Sequence, residues 1–183
     1  MFDEAAHAIQ RGAAWYASNT DSTRPTEFGL VPGAGSQIGV VSTAVETTPK
    51  VAGKPYPPLL NETVLRLQTN HPIFVGDRCD TDIEGACNVG MDSLFVFSGV
   101  HGKYDLVHAK PSWRPTWIGQ DVQALLAPAR EARIEGSSAV CGSVTASVAG
   151  GAVLLSEVPA DQAGQLDALW ALLQLTWADD DLD

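Results

Sequence analysis

The sequence predicts an α/β chain: a parallel sheet interleaved with helices, followed by a small α+β unit at the carboxyl end. Three observations carry this. Between Lys50 and Leu126, short apolar strand-like runs alternate with helical ones, the pattern of parallel strands covered on both faces. The run Pro72 to Asp82, PIFVGDRCDTD, is a short apolar strand that empties into three aspartates. Polar chemistry at the carboxyl end of a parallel strand is where such sheets place their sites. Past Pro128 the composition shifts to Val, Ala, Ser and Gly runs.

Taken in order, apolar spacing predicts a helix over Phe2 to Gln10, ended by Gly12, and then a buried strand over Ala13 to Ala17. Asn19 to Gly35, rich in Thr, Pro and Gly, reads as a loop longer than ordinary connections, hence a functional loop or a substrate-facing lid. A helix over Gln37 to Thr47 is broken by Pro49, and a short strand over Lys50 to Ala52 delivers Lys54. There follow a helix over Pro58 to Thr69, a strand over Ile73 to Val75, a helix over Thr81 to Val89, strands over Ser93 to Phe97 and Thr116 to Ile118, and a helix over Gln120 to Leu126. Pro128 to Glu131 reads as a linker. SSAVCGSVTASV and GGAVLLSEV suggest two strands, and the last helix carries Leu166, Leu169, Leu173 and Trp177 as one apolar stripe.

Composition bounds the function. At 183 residues and 45% apolar content the chain can bury a full core. A formal charge of −11 argues against nucleic acid and against an anionic membrane, because like charge repels both, and leaves free metal cations as the natural ligand. The run Asp179, Asp180, Asp181 and Asp183 reads as a solvated tail. Cys79, Cys87 and Cys141 form no CxxC pair, so neither a disulfide framework nor a zinc site is expected, and a reducing cytoplasm fits best. The amino terminus does not look like a secretory signal, and no window approaches the roughly 18 apolar residues of a membrane span.

Lys54 stands between Gly53 and Pro55, which fix a tight exit from its strand. With Asp77 and Asp82 it reads as part of a magnesium-dependent phosphate site: carboxylates hold a hard cation through oxygen, and a lysine neutralises phosphate. Alone, the two aspartates would be ordinary turn and N-cap residues. Other motifs fall away. DTDIEG is no EF-hand, since its twelfth position is Met91, and GAGSQIG is no dinucleotide loop, since Ile38 occupies the third glycine position. His7, His71, His101 and His108 have no ligand spacing. Trp170, Leu173 and Trp177 read as packing surface.

GDRCDTD after PIFV, preceded by GKPYPPLL and followed by IEGACNVGMDSLFVFSGV, resembles the haloacid dehalogenase (HAD) superfamily, subfamily IIA, the NagD-type and p-nitrophenyl-phosphatase-like hydrolases. ASNTDSTRPTEFGLVPGAGS is similar to the cap region of the same branch. The resemblance covers about residues 5 to 127. It implies that Lys54 screens the phosphate, that Asp77 is a magnesium ligand, and that Asp82 holds the metal through water or orients its surroundings. Asn19 and Asp21, in the cap segment, are candidate substrate contacts.

The family's nucleophile belongs to an amino-terminal DxDG motif. The internal Asp80-Thr81-Asp82 does not match it, since Ile83 stands where glycine belongs. The expectation is therefore a partial HAD Rossmann-like sheet: a cap remnant over 1–49, the carboxyl-terminal half of the core over 50–127, and an α+β extension over 128–183. That extension is similar to actinobacterial glycerol-3-phosphate phosphatase-like members. The resemblance implies a portion of a phosphatase acting on a small phosphorylated metabolite through an aspartyl phosphate, inactive alone, and partnered by an amino-terminal half or a second copy. The alternative is a non-catalytic binding or regulatory module of the same descent.

Overall fold

The computed structural model describes residues 1–178, so the acidic run read as a tail lies outside the described residues. Two compact units are present, Met1–Phe74 with Asp80–Ser93, and Val75–Cys79 with Leu94 onward.

In the first unit, helix α1 (Phe2–Gln10) has Asp3 and Glu4 in its first turn, where acidic groups favour the positive end of the helix. Strand β1 (Tyr16–Ala17) is shorter than expected. The segment read as one long loop holds a hairpin of β2 (Thr23–Thr26) and β3 (Gly29–Pro32). Pro25 and Pro32 hide it from a strand reading, yet a two-stranded ribbon is all edge and tolerates them. Its turn is closed by Thr26, whose hydroxyl donates to the Gly29 carbonyl at 2.6 Å, with Gly29 at φ 117°.

Helix α2 (Ala34–Ser42) begins three residues before the predicted start, because Gly33 caps it in an extended conformation. Strand β4 (Lys50–Val51) pairs parallel with β1, Tyr16 opposite Lys50 and Ala17 opposite Val51. Helix α3 (Pro57–Leu67) opens on two prolines, whose fixed φ suits the first turn. A π-turn over Cys79–Ile83 leads into α4 (Glu84–Asn88), so the predicted helix over 81–89 is regular only in its second half.

A three-stranded sheet has the order β5 (Ile73–Gly76), β6 (Asp92–Val96), β7 (Trp117–Gly119), and the second unit holds Val75–Gly76 of β5, Leu94–Val96 of β6 and all of β7. β6 and β7 run parallel in the register Leu94–Trp117, Phe95–Ile118, Val96–Gly119, as the alternating pattern requires. Between them lies a short helix that the sequence reading did not anticipate, α5 (Lys103–Val107), with the Gly102 N–H donating to Asp105 Oδ2 at 2.8 Å. The helix expected over 120–126 is a 3-10 turn over Val122–Leu126, where Asp121 accepts from the Gln123 N–H and fixes a tight entry.

After it comes an antiparallel sheet of four strands where two were expected: β8 (Arg133–Glu135), β9 (Ser138–Cys141), β10 (Val144–Ala149) and β11 (Ala152–Leu155). Gly136, Gly142, Gly150 and Gly151 take positive φ at the three reversals, so each of the two Ser- and Gly-rich runs contains a turn that splits it or leads into it.

Helix α6 (Gln162–Ala178) buries Leu166, Leu169 and Leu173 as expected, but also Ala168, Trp170, Ala171 and Leu175. The burial is thus spread around the helix and is not a single stripe. It packs on β9 and β10 and also on α5 and β7. Trp177 Nε1 donates to the Leu106 carbonyl at 3.2 Å, and Arg114 Nη1 to the Trp177 carbonyl at 3.1 Å. Phe95, Leu106, Leu173 and Val144 are fully buried in this unit. Each such side chain contributes on the order of 1.5–3 kcal/mol by leaving water. Among the described residues no helix is long and apolar enough to cross a membrane.

Candidate active site

In the first unit, β4 ends at Val51, and Ala52 and Gly53 lead out of it to Lys54. A Cβ at Gly53 would collide with the Ser18 carbonyl, so the chain passes close to the loop after β1 only because this position is glycine. The Thr20 N–H donates to the Lys54 carbonyl at 3.3 Å, and the Leu59 N–H to the Ala52 carbonyl at 2.8 Å. Asn88 Nδ2 donates to the Pro55 carbonyl at 2.8 Å and ties α4 to the same exit.

From this anchored backbone Lys54 Nζ donates to Asp82 Oδ1 at 2.6 Å and lies 3.4 Å from Asp21 Oδ2. Asp82 is buried, and the Lys54 and Asp21 side chains are 28% and 20% exposed. Burial opposes charge on the ammonium. The hydrogen bond and charge of Asp82, joined by those of Asp21, more than offset it and raise the Lys54 pKa above its ordinary 10.5. Lys54 also borders a cavity of about 310 Å³ with Ser18, Asn19, Leu60, Thr63 and Phe74.

Asn19 and Asp21 part company here. The Asn19 side chain serves its own loop, its Oδ1 accepting from the Asp21 N–H at 3.0 Å and its Nδ2 donating to Ser18 Oγ at 3.4 Å. Asp21 reaches the lysine. The Thr81 hydroxyl between Asp80 and Asp82 is buried, with no hydrogen-bond partner among the described residues.

Asp77 belongs to the second unit, one residue past the end of β5. The Val100 N–H donates to its Oδ2 at 2.7 Å, and the His101 N–H to its carbonyl at 3.1 Å. A Cβ at Gly99 would overlap the Asp77 carboxyl group, so residues 99–101 form a cradle that only glycine permits at its first position. His101 Nδ1 accepts from the Cys79 N–H at 3.0 Å, which places the proton of a neutral ring on Nε2. Sequence reasoning missed Gly99 and Val100. Their signal was the small-residue run SGV directly after the apolar strand SLFVF.

The donors are hard oxygens, the right chemistry for magnesium. Among the described residues no three His, Cys, Asp or Glu groups converge to hold a metal. That is compatible with a cation that keeps several waters and takes one or two protein carboxylates plus substrate oxygens.

Residues 51–125 match the HAD-hydrolase-like family model. Over 122 residues the chain is 51% identical to the D-glycerol 3-phosphate phosphatase of Mycobacterium tuberculosis, covering 67% of this chain and 35% of that protein. The chain belongs to the haloacid dehalogenase superfamily. Among solved HAD structures, the glycerol phosphate phosphatase of Mycobacterium tuberculosis in complex with magnesium superposes with a TM-score of 0.78 at 39% identity, covering 97% of this chain and 52% of that one. The 4-nitrophenylphosphatase of Thermotoga maritima superposes at 0.62 with 26% identity, covering 69% and 49%.

Both the subfamily IIA branch and the actinobacterial likeness read from the motifs are therefore found. The chain spans about half the length of each solved relative.

Proposed function

We propose that this chain is a portion of a magnesium-dependent HAD phosphatase that hydrolyses a small phosphate monoester through an aspartyl phosphate. A glycerol phosphate is the first substrate to try, because the mycobacterial relative's name states that activity. The observation that carries the reading is the Lys54 ammonium, held by Asp82 at 2.6 Å at the exit of a short parallel strand.

In this reading Lys54 binds a non-bridging oxygen of the phosphoryl group and stabilises the charge that gathers there during in-line transfer. Asp82 secures the lysine's charge and direction. Asp77, immobilised by Val100, would hold the magnesium, and the cation supplies neutralisation of phosphate charge. That neutralisation is needed on electrostatic grounds, since Asp82 and Asp21 together outweigh the single positive charge of Lys54. The nucleophilic aspartate would come from a segment outside this sequence. Asn19 shapes the loop that presents Asp21 to the lysine.

Co-expression with an amino-terminal polypeptide bearing the DxDG segment of the mycobacterial relative tests this. Glycerol 3-phosphate and p-nitrophenyl phosphate are assayed with magnesium. Turnover that falls by roughly 100-fold or more in Asp77→Asn and in Lys54→Met supports the proposal. A stable complex with no turnover overturns it in favour of a non-catalytic module.

A further inference from the structure

Lys54 meets a second carboxylate that the phosphate-handling role does not require. An ammonium has three N–H donors. Asp82 takes one at 2.6 Å, and Asp21 draws a second at 3.4 Å from an element far away in sequence. A carboxylate beside a phosphate-binding lysine weakens its pull on an anion, so what Asp21 contributes is placement.

The loop carrying it is built for that. The Gly35 N–H donates to the Asp21 carbonyl at 2.8 Å and the Gly33 N–H to the Ser22 carbonyl at 2.9 Å. Ser36 Oγ donates to the same Ser22 carbonyl at 2.5 Å. A Cβ at Gly33 would collide with the Asp21 carbonyl, one at Gly35 with the Thr20 carbonyl, and one at Gly53 with the Ser18 carbonyl. The loop over residues 18–22 is thus clasped from two sides by backbone that can approach only because three glycines lack side chains.

We infer that Asp21 is a positioning residue, not a substrate contact: its clasped loop holds a carboxylate that, with Asp82, fixes the Lys54 ammonium and leaves one N–H for a phosphate oxygen. A long lysine side chain loses much conformational freedom when so held, and two anchors from separate loops set that cost at folding, before substrate arrives. The inference rests on the reading of Lys54 as the phosphate-binding group.

The test compares wild type, Asp21→Asn and Asp21→Glu. In the full chain, ¹⁵N relaxation of the Lys54 ammonium reads its mobility. In the co-expressed complex, kcat and KM for p-nitrophenyl phosphate are measured with magnesium. Expected are an unchanged backbone amide spectrum and a mobile Lys54 ammonium in Asp21→Asn, with kcat lowered roughly tenfold and KM moved less, and partial recovery in Asp21→Glu. An ammonium equally restrained in wild type and Asp21→Asn overturns the inference.

If Asp21→Asn destabilises the chain, the Lys54→Met background decides. A role exercised through the lysine predicts that Asp21→Asn shifts the melting temperature far less there, and an equal shift in both backgrounds overturns it. The two readings separate. An Asp21-dependent ammonium without turnover in the complex removes the phosphatase reading, and with it the phosphate role assigned here, while the contact stands. Restored turnover with an Asp21-independent ammonium removes the positioning role alone.

Discussion

The Val100 amide donates to Asp77 Oδ2 at 2.7 Å, and the neighbouring Gly99 has no Cβ because the Asp77 carboxyl group occupies that space. A hydrogen bond to a carboxylate is among the stronger neutral-donor bonds, and this one ties Oδ2 to the backbone after β6.

Gly99→Ala should therefore displace Asp77. An overpacking cost of about 1–3 kcal/mol is expected, read from the urea midpoint. In the complemented enzyme turnover should fall and the magnesium concentration for half-maximal rate should rise, whereas Gly102→Ala, where a Cβ meets nothing within 4 Å, should leave both near wild type.

Lys54 gives a pH signature. Its folded pKa is raised above 10.5 once Asp82 and Asp21 outweigh burial, so its stabilising contribution is fully present below pH 10.5 and is lost as pH rises through the folded value. The melting-temperature gap between wild type and Lys54→Met should hold steady from pH 7 to about pH 10 and close at higher pH. A gap that widens instead contradicts the ion-pair geometry.

Cys141 carries a second alkaline signature. Burial first, then the charge of Asp167, push its thiol up to about 11 from 9.0, while Arg130 works in the opposite direction. A folded pKa above the unfolded one means that stability falls as pH climbs from 9 to about 11 and is unaffected below. Cys141→Ala should flatten that slope. Under iodoacetamide at pH 8 the exposed Cys87 should react first, with the buried Cys79 and Cys141 protected until unfolding.

Arg130 bridges two parts of the second unit, its Nε donating to Asp167 Oδ1 at 2.9 Å on α6 and its Nη1 to the Ile118 carbonyl at 3.4 Å on β7. Arg130→Met should cost about 1–3 kcal/mol, since Asp167 is left half-buried without its cation beside Cys141. Asp167→Asn added to Arg130→Met should recover part of that loss. Additive penalties in the urea midpoints would count against the pair.

Exposed apolar surface sets the behaviour of the chain in isolation. β5 stands at one edge of its three-stranded sheet with Ile73 43% exposed, and α3 presents Leu65 and Leu67 at 72% and 63%. Unpaired strand edges and contiguous apolar faces favour association. Sedimentation of the chain alone should show self-association or a broad melt, and a sharp two-state melt of a soluble monomer would contradict this.

Much of the fold was legible because it rests on local rules. Helix α1 falls on its predicted residues, and β4, α3, β5, β6 and β7 fall within one or two, since apolar spacing and proline placement act over a few positions. The hairpin over 23–32 was hidden by its prolines, and the four-stranded sheet by turns that glycine makes inside apolar runs. At the site, the sequence named Lys54, Asp77, Asp82 and Asp21, but not that Asp82 and Asp21 both reach the lysine. The contact with Asp82 crosses 28 positions and depends on where α4 settles, which no local pattern encodes.

What the sequence determined by itself was the superfamily, the α/β order and the identity of the charged residues, all of which are properties of residue type and spacing. Tertiary structure alone decided which charges touch. It put two carboxylates on one ammonium, and it made glycine obligatory at 33, 35, 53 and 99, where other backbone or a carboxyl group fills the space a Cβ would need. The physical reason is range: secondary structure responds to near neighbours along the chain, whereas an ion pair and a close approach depend on distances that exist only after distant segments have packed.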